Sequence, residues 1–230
     1  LLGVVPLVER PCLVDPLVGT GNASIPAARA GASVVASDLT PELLEQGRRT
    51  EPGIEWVEAD AQALPFETGE FDTVLSCVGA MFAPFHERAA AEMVRVCRSG
   101  GTIAMINWTP EGFVGQLFAT MKPFAPPPPP GARPAPLWGS EAHVRELFGA
   151  GVRSLTAEKR TITFAVSDSP LAFREWWKAN YGPTIAVYAA NAADPDRTAA
   201  LDEAFLRFLT ESREGTTWES EYLLITAERS

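Results

Sequence analysis

The stretch Leu13-Val14-Asp15-Pro16-Leu17-Val18-Gly19-Thr20-Gly21-Asn22 constrains the fold of this chain more than any other. An apolar run of strand length feeds a Gly-x-Gly turn. The alanine-rich segment from Asn22 to Ala30 then has the composition of a helix. Strand, glycine turn and helix are the opening parts of a nucleotide-binding α/β half. Glycine lets the backbone turn sharply and lets a ligand approach without meeting a Cβ. The helix N-terminus then offers free N–H groups to an electron-rich ligand. A dinucleotide fingerprint G-x-G-x-x-G starting at Gly19 would need glycine where Ser24 stands. A G-x-G-x-G turn ending at Gly21 would need glycine where Leu17 stands. The turn by itself leaves its ligand open.

The alternation continues downstream. Gly31 is a stop for the first helix, and Ser33–Ser37 is a short buried strand closed by Asp38. Thr40, Pro41 and Glu42 supply an N-cap, a first-turn proline and a dipole-complementing acid for a helix to about Arg49. Ile54–Ala59 alternates like a strand and ends at Asp60-Ala61. A loop with Pro65 and Gly69 leads to Phe71–Val78, apolar on both faces as a central parallel strand should be. Gly79–Phe85 is a glycine- and aromatic-containing loop. His86–Arg98 places Ala90, Met93, Val94 and Cys97 on one helical face, and Gly100-Gly101 end it. Thr102–Trp108 is another buried strand. This order predicts parallel βαβ units with right-handed crossovers, hence a doubly wound α/β sheet with helices on both faces. The sheet is expected to be mostly parallel, with Trp218–Ala227 as an antiparallel last strand. Ligands of such sheets bind beyond the carboxyl ends of the strands. Asp15, Asp38, Asp60, Ser76–Gly79 and Trp108 fall at those ends and should line one crevice.

Between Thr109 and Gly139 the character changes to aromatic and proline-rich, with Phe113, Phe118, Met121, Phe124, Pro126–Pro130 and Trp138. The proline run must be extended. It reads as a stiff connection within the fold, with a docking peptide as the alternative. Glu141–Phe148, Pro170–Tyr181 and Thr198–Arg213 read as helices, and Val152–Val166 holds strand-like runs. The 230 residues are expected to form one domain, with 109–150 a lid or substrate insertion.

A formal net charge of -10 argues against a nucleic-acid binder and against docking on an anionic membrane. The cysteines Cys12, Cys77 and Cys97 form no C-x-x-C, so reduced core thiols are expected rather than zinc or disulfides. No metal ligand set is visible. Leu1–Val8 is apolar but lacks a basic n-region and a cleavage site, so no signal peptide is expected. No apolar run approaches the ~20 residues that span a bilayer. A cytoplasmic location is the expectation.

Taken in order, four segments resemble the class I S-adenosylmethionine-dependent methyltransferases of small-molecule type, which have a Rossmann-like sheet. They are Val14-Asp15 before Gly19-Thr20-Gly21-Asn22; Asp38 followed by Leu39-Thr40-Pro41; Ala59-Asp60-Ala61 with Leu64-Pro65-Phe66 and Phe71-Asp72; and Arg95 to Gly101 leading to Asn107-Trp108. The resemblance covers Cys12–Gly112 well and the remainder loosely. It implies S-adenosylmethionine as cofactor, with Gly19 and Gly21 facing its methionine part. It implies that Asp38 accepts from both ribose hydroxyls, and Asp60 from the adenine amino group with the Ala61 N–H nearby. Asp15, Leu39 and Ser76 complete the expected cofactor set. Leu17 stands where the family has its first glycine, and Pro16 removes an N–H beside it. The side chain of Leu17 is expected to fill part of the methionine site. The acceptor is expected to be small and apolar or aromatic, held by Phe82, His86, Trp108, Phe113, Trp138 and Tyr181. His86 is either a pocket base or an exposed first-turn residue, and His143 is expected on a surface helix. No catalytic residue is assigned. One alternative is a methyltransferase-like partner or regulatory protein that has lost cofactor binding. The other is a nicotinamide-dependent oxidoreductase, against which stand Ser24 and the lack of a Tyr-x-x-x-Lys pair.

Overall fold

The computed structural model describes residues 12–167 and 169–230. Leu1–Val8 and the side chain of Cys12 lie outside the described residues. The elements follow the expected alternation: β1 (Cys12–Pro16), α1 (Ser24–Arg29), β2 (Ser33–Asp38), α2 (Pro41–Thr50), β3 (Glu55–Glu58), β4 (Phe71–Cys77), α3 (His86–Val96) and β5 (Cys97–Trp108). Then come α4 (Phe113–Met121), α5 (Glu141–Phe148), β6 (Val152–Phe164), α6 (Pro170–Asn180), α7 (Gly182–Asn191), α8 (Pro195–Glu211) and β7 (Trp218–Arg229). The strand order is β3-β2-β1-β4-β5-β7-β6. The β1–β2, β1–β4, β2–β3 and β4–β5 pairs are parallel, and the last strands are antiparallel. This is the Rossmann-like sheet with its reversal of strand order beside β1.

The chain divides into two units. One holds the sequence up to Asn107, then Gly131–Lys159 and Leu223–Ser230; the other holds Trp108–Pro130 and Arg160–Tyr222. The stretch 109–150 therefore does not stay together: its first part belongs to the second unit and its remainder to the first. The exposed run Pro126–Pro130 ends at that boundary.

In the first unit, Leu13, Val34, Ala36, Leu75 and Ala104 from four neighbouring strands share a core with Ala27 of α1, Leu44 of α2 and Trp56 of β3. Fully burying a valine or leucine of this set contributes roughly 1.5–3 kcal/mol. Helix α3 ends two residues earlier than its apolar spacing predicts. Cys97 is already extended and pairs with Phe71 of β4, so the sheet claims it. The second unit is a helical cluster of α4, α6, α7 and α8 around Phe113, Leu117, Phe173, Trp177, Leu201, Phe205 and Trp218. Helix α8 begins three residues before the predicted start because Asp194 accepts from the Arg197 N–H at 2.9 Å and Pro195 occupies the first turn. Helices α4 and α7 are absent from the sequence reading. The Gly182-Pro183 pair that looks like a break opens α7, since a proline in the first turn loses no helical bond.

Candidate functional site

The carboxyl end of β1 carries Asp15, which is 1% exposed. Ser24, at the start of α1, donates its hydroxyl to Asp15 Oδ2 at 2.9 Å. Among the described residues, Asp15 Oδ1 has no hydrogen-bond partner. Burial pushes the carboxyl up to about 7; the Ser24 bond opposes that shift and the charge of Asp38 adds to it. Beyond Asp15 the turn passes through Leu17 at φ 65°, Gly19 at φ 58° and Gly21 at φ 99°. Three left-handed residues in five make a turn that only glycine adopts without cost. Leu17 thus takes up a backbone conformation suited to the glycine that the resemblance expects. Its neighbour in space explains a further glycine. A Cβ on Gly79 would lie 2.3 Å from the carbonyl oxygen of Leu17 and 2.9 Å from its Cβ.

Asp38, 5% exposed at the end of β2, ties this turn to its own strand. Its Oδ2 accepts from the Gly19 N–H at 2.8 Å and its Oδ1 from the Thr40 N–H at 2.9 Å. Thr40 sits at the N-cap of α2, but its side chain makes no capping bond. It serves instead through its backbone. Each oxygen of Asp38 keeps a second lone pair, so the carboxylate retains capacity for hydroxyl donors. Leu39 beside it is 58% exposed.

After β3, Asp60 accepts from the backbone N–H of Gln62 at 2.9 Å and from its side-chain amide at 2.9 and 3.2 Å. The other end of the Gln62 amide accepts from the Phe85 N–H at 3.0 Å. Gln62 therefore links Asp60 to the loop between β4 and α3. Ala61 is buried. Arg95 of α3 donates to the carbonyls of Phe66 and Leu64 at 2.6 and 2.9 Å, and Glu92 accepts from the Leu64 N–H at 2.6 Å. The Glu92–Arg95 pair is itself bonded at 2.7 Å, which holds Glu92 below the usual carboxylate range. This explains why Leu64-Pro65-Phe66 and Arg95 occur together in the sequence. Ser76 is buried at the end of β4 and accepts from the Ala80 N–H at 2.9 Å.

Ser37 and Asn107, buried at strand ends of the first unit, also have side-chain atoms without a partner among the described residues. With Asp15 they mark the carboxyl ends of β2, β5 and β1. Sequence reasoning quoted Asn107 only as the end of a segment and passed over Ser37 and Gln62. A polar residue closing a buried strand is the signal that could have found the first two.

The residues expected to hold an acceptor fall into two groups. Phe82, His86 and Trp138 are in the first unit; Trp108, Phe113 and Tyr181 are in the second. Phe82 is 38% exposed on a short 3₁₀ turn. His86 and Trp138 are wholly buried, with ring centroids 5.3 Å apart. His86 Nδ1 lies 2.9 Å from Nε2 of His143. The expectation of a surface position for His143 is therefore corrected: α5 turns it inward onto α3. Likewise His86 is not an exposed first-turn residue. Burial, reinforced by His143, lowers its imidazole to about 4, so the ring is neutral near pH 7. In the second unit Phe113 is buried against Phe164, Phe173, Trp177 and Phe208, with centroids 5.1–6.1 Å away. Tyr181 stands perpendicular to Trp177 at 4.6 Å.

Several known proteins are similar to this chain. Residues 14–105 match the family model described as a methyltransferase domain. An uncharacterised protein of Mycobacterium tuberculosis is 44% identical over 221 residues, covering 94% of this chain and 81% of its own. A demethylmenaquinone methyltransferase of Renibacterium salmoninarum is 37% identical over 97 residues, 42% of this chain and 41% of its own. Among solved structures, the YcgJ protein of Bacillus subtilis superposes with TM-score 0.68 at 14% identity, covering 100% of this chain and 96% of that one. Geranyl diphosphate C-methyltransferase of Streptomyces coelicolor, in complex with Mg2+, geranyl diphosphate and S-adenosyl-L-homocysteine, gives 0.58 at 17% identity, covering 100% and 78%. The chain belongs to the class I S-adenosylmethionine-dependent methyltransferases. Within that family it aligns along nearly its whole length with the mycobacterial protein.

Proposed function

We propose that this chain transfers the methyl group of S-adenosylmethionine to a small, apolar or aromatic acceptor. The observation that carries the proposal is the joined set at the ends of β1 and β2. A left-handed turn through Leu17, Gly19 and Gly21 is stitched to the Asp38 carboxylate, with Asp15 Oδ1 buried and unpaired beside it. These residues fit the cofactor. No atom of the described residues lies within 4 Å of where a Gly19 Cβ would be. Asp38 has lone pairs for ribose hydroxyls. Asp15 is a buried carboxyl whose ionised form a cationic ligand would stabilise. The sulfonium supplies an already activated methyl group. The protein's part is then to align the nucleophile and keep water out, and a base is needed only when the acceptor must lose a proton. Asp60, held by Gln62, is assigned to the adenine end, and exposed Leu39 to its apolar face.

The reading in which cofactor binding has been lost rested on Pro16 and Leu17. Since Leu17 adopts the left-handed conformation itself, that substitution does not unmake the turn. The Streptomyces enzyme is named for geranyl diphosphate and the Renibacterium relative for demethylmenaquinone. Each of these molecules has an apolar hydrocarbon part, which supports an acceptor with an apolar body here. Calorimetric titration with S-adenosylhomocysteine tests the cofactor half of the proposal. Saturable binding that Asp38→Ala weakens by about 10- to 100-fold is expected, from the roughly 1.5–3 kcal/mol of a charged hydrogen bond. Equal affinity of the two proteins would remove Asp38 from the site, and no binding at all would leave the chain a methyltransferase-like binding module.

A further inference from the structure

Several buried polar atoms of the second unit lack a partner at full hydrogen-bond geometry. Among the described residues these are Trp108 Nε1, Trp177 Nε1, the Tyr181 hydroxyl, Thr184 Oγ1 and Arg213 Nε, which lies by the face of Trp218. Leaving such a group unpaired is costly, and most buried polar atoms avoid it.

Three of them ride on one connected set of rings. Trp177 meets Tyr181 edge-on at 4.6 Å, Phe164 meets Trp177 at 5.6 Å, and Phe164 meets Trp108 at 6.0 Å. The Trp108 N–H is turned toward the Tyr181 oxygen as a hydrogen-bond donor, which opposes the larger effect of burial; burial pushes the phenol well above its usual range. Burial prevails, so Tyr181 keeps its proton and remains a donor. Thr184 lies three residues on, in the first turn of α7. Two indole N–H groups cannot accept at all. The group is therefore rich in donors. The charged side chains of the same helices are engaged with each other: Lys178 and Arg174 bond to Asp202, which also accepts from Tyr188 at 2.7 Å.

We infer that the Tyr181 hydroxyl, its oxygen facing the Trp108 N–H, donates to a hydrogen-bond-accepting oxygen, such as a ketone or quinone carbonyl, on an apolar ring system bound within the aromatic cluster of the second unit. This deepens the acceptor reading above and rests on it. The class follows from the chemistry. Aromatic faces take a planar apolar body, and uncharged donors in apolar surroundings take a neutral oxygen rather than a cation or another donor. A site built this way rejects the analogue that lacks the oxygen, because the donors are then left unpaired.

A matched pair of probes tests it: 2-acetylnaphthalene and its carbonyl-free isostere 2-isopropenylnaphthalene. Both are titrated into the full chain saturated with S-adenosylhomocysteine. Affinity is read by equilibrium dialysis and the indole N–H signals by 1H–15N spectra, with Trp108→Phe assigning its resonance. The ketone should bind at least tenfold more tightly and move the Trp108 N–H signal downfield, because a phenol that donates becomes a better acceptor for the indole facing it. Tyr181→Phe, which keeps the ring, should remove most of the tenfold preference and leave the isostere unaffected. Equal binding of the two probes to the wild type, or a preference that survives Tyr181→Phe, would overturn the inference. So would a protein that binds S-adenosylhomocysteine but neither probe, and that result leaves the cofactor reading standing. Ketone-selective binding by a chain that ignores S-adenosylhomocysteine separates the two in the other direction: the recognition site stands and methyl transfer falls.

Discussion

Asp15→Asn should make the protein more stable at high pH, and the size of the gain follows from the burial of one carboxyl. Asp15 is 1% exposed and its pKa is raised from 3.8 to about 7. Between those values the unfolded chain has released the proton and the folded chain retains it. The contribution of Asp15 to stability therefore falls as pH rises from about 4 to about 7, and is constant above that. At about 1.4 kcal/mol per pKa unit the full cost of the ionised form is roughly 4 kcal/mol, of which roughly 3 kcal/mol develops between pH 4.5 and pH 8. His86 works in the opposite direction. Its folded pKa is lowered from 6.5 to about 4, so its contribution is present above 6.5 and is lost as pH falls through that window. The wild-type profile alone mixes the two. The difference between Asp15→Asn and wild type isolates the carboxyl, because asparagine keeps an oxygen for the Ser24 hydroxyl and does not titrate. Urea unfolding followed by tryptophan fluorescence at several pH values gives that difference directly. It should move in favour of the mutant by roughly 3 kcal/mol from pH 4.5 to pH 8. A difference that stays flat to within about 0.5 kcal/mol, near the error of the extrapolation, would mean that Asp15 ionises like an exposed carboxylate, and the burial argument would fail.

Other changes have definite expected outcomes. Gly79→Ala puts a Cβ 2.3 Å from the Leu17 carbonyl oxygen, and thermal unfolding should show a loss of about 1–3 kcal/mol; an unchanged melting temperature would show that the two loops part easily. Leu17→Gly removes a left-handed strain of about 1–2 kcal/mol against an entropy cost of about 0.5–1 kcal/mol, so the variant should be as stable as wild type or slightly more so, and a clear drop in melting temperature would show that Leu17 is held by packing. We further propose that 109–130 covers the acceptor: subtilisin should cleave between Phe124 and Ala132 in the free protein, and more slowly with S-adenosylhomocysteine plus an acceptor. Cleavage at the same rate in both states would speak against a cover.

The alternation of apolar strands with capped helices made the first half of the fold readable, because each βαβ step is specified locally. Errors there are small and have one cause. At Cys97 the helix pattern runs on in sequence, but pairing with Phe71 wins. The second unit was harder to read. Its helices α4 and α7 carry few polar residues, so no amphipathic contrast shows where a helix starts, and α7 opens on a Gly-Pro pair that elsewhere marks a turn. For the candidate site, acidic residues at strand ends were legible as types in position. Their partners were not. That Asp38 spends one lone pair of each oxygen on Gly19 and Thr40, or that Gln62 joins Asp60 to Phe85, depends on contacts between segments far apart in sequence. His143 shows the same limit. Nothing in a helix of mixed polarity signals that one imidazole faces another.

The turn after β1 shows how a departure from a family pattern should be weighed. A leucine in a glycine position looks like a lost function when only side-chain volume is considered. The backbone gives a different criterion: a position matters as glycine either because φ is positive or because something approaches it closely. At Leu17 φ is 65°, a cost of about 1–2 kcal/mol that the rest of the fold can absorb. At Gly79 φ is not positive, yet its missing Cβ leaves the space that the carbonyl of Leu17 occupies. Val78, beside it, is also left-handed at φ 59°. Thus the loops following β1 and β4, neighbouring parallel strands, each hold a strained non-glycine residue, and they meet through one glycine. Strain of this kind persists only where surrounding structure over-determines it, and it concentrates at ligand clamps. The left-handed turn at Leu17 is thus held at a cost in stability, which fits the cofactor binding proposed above.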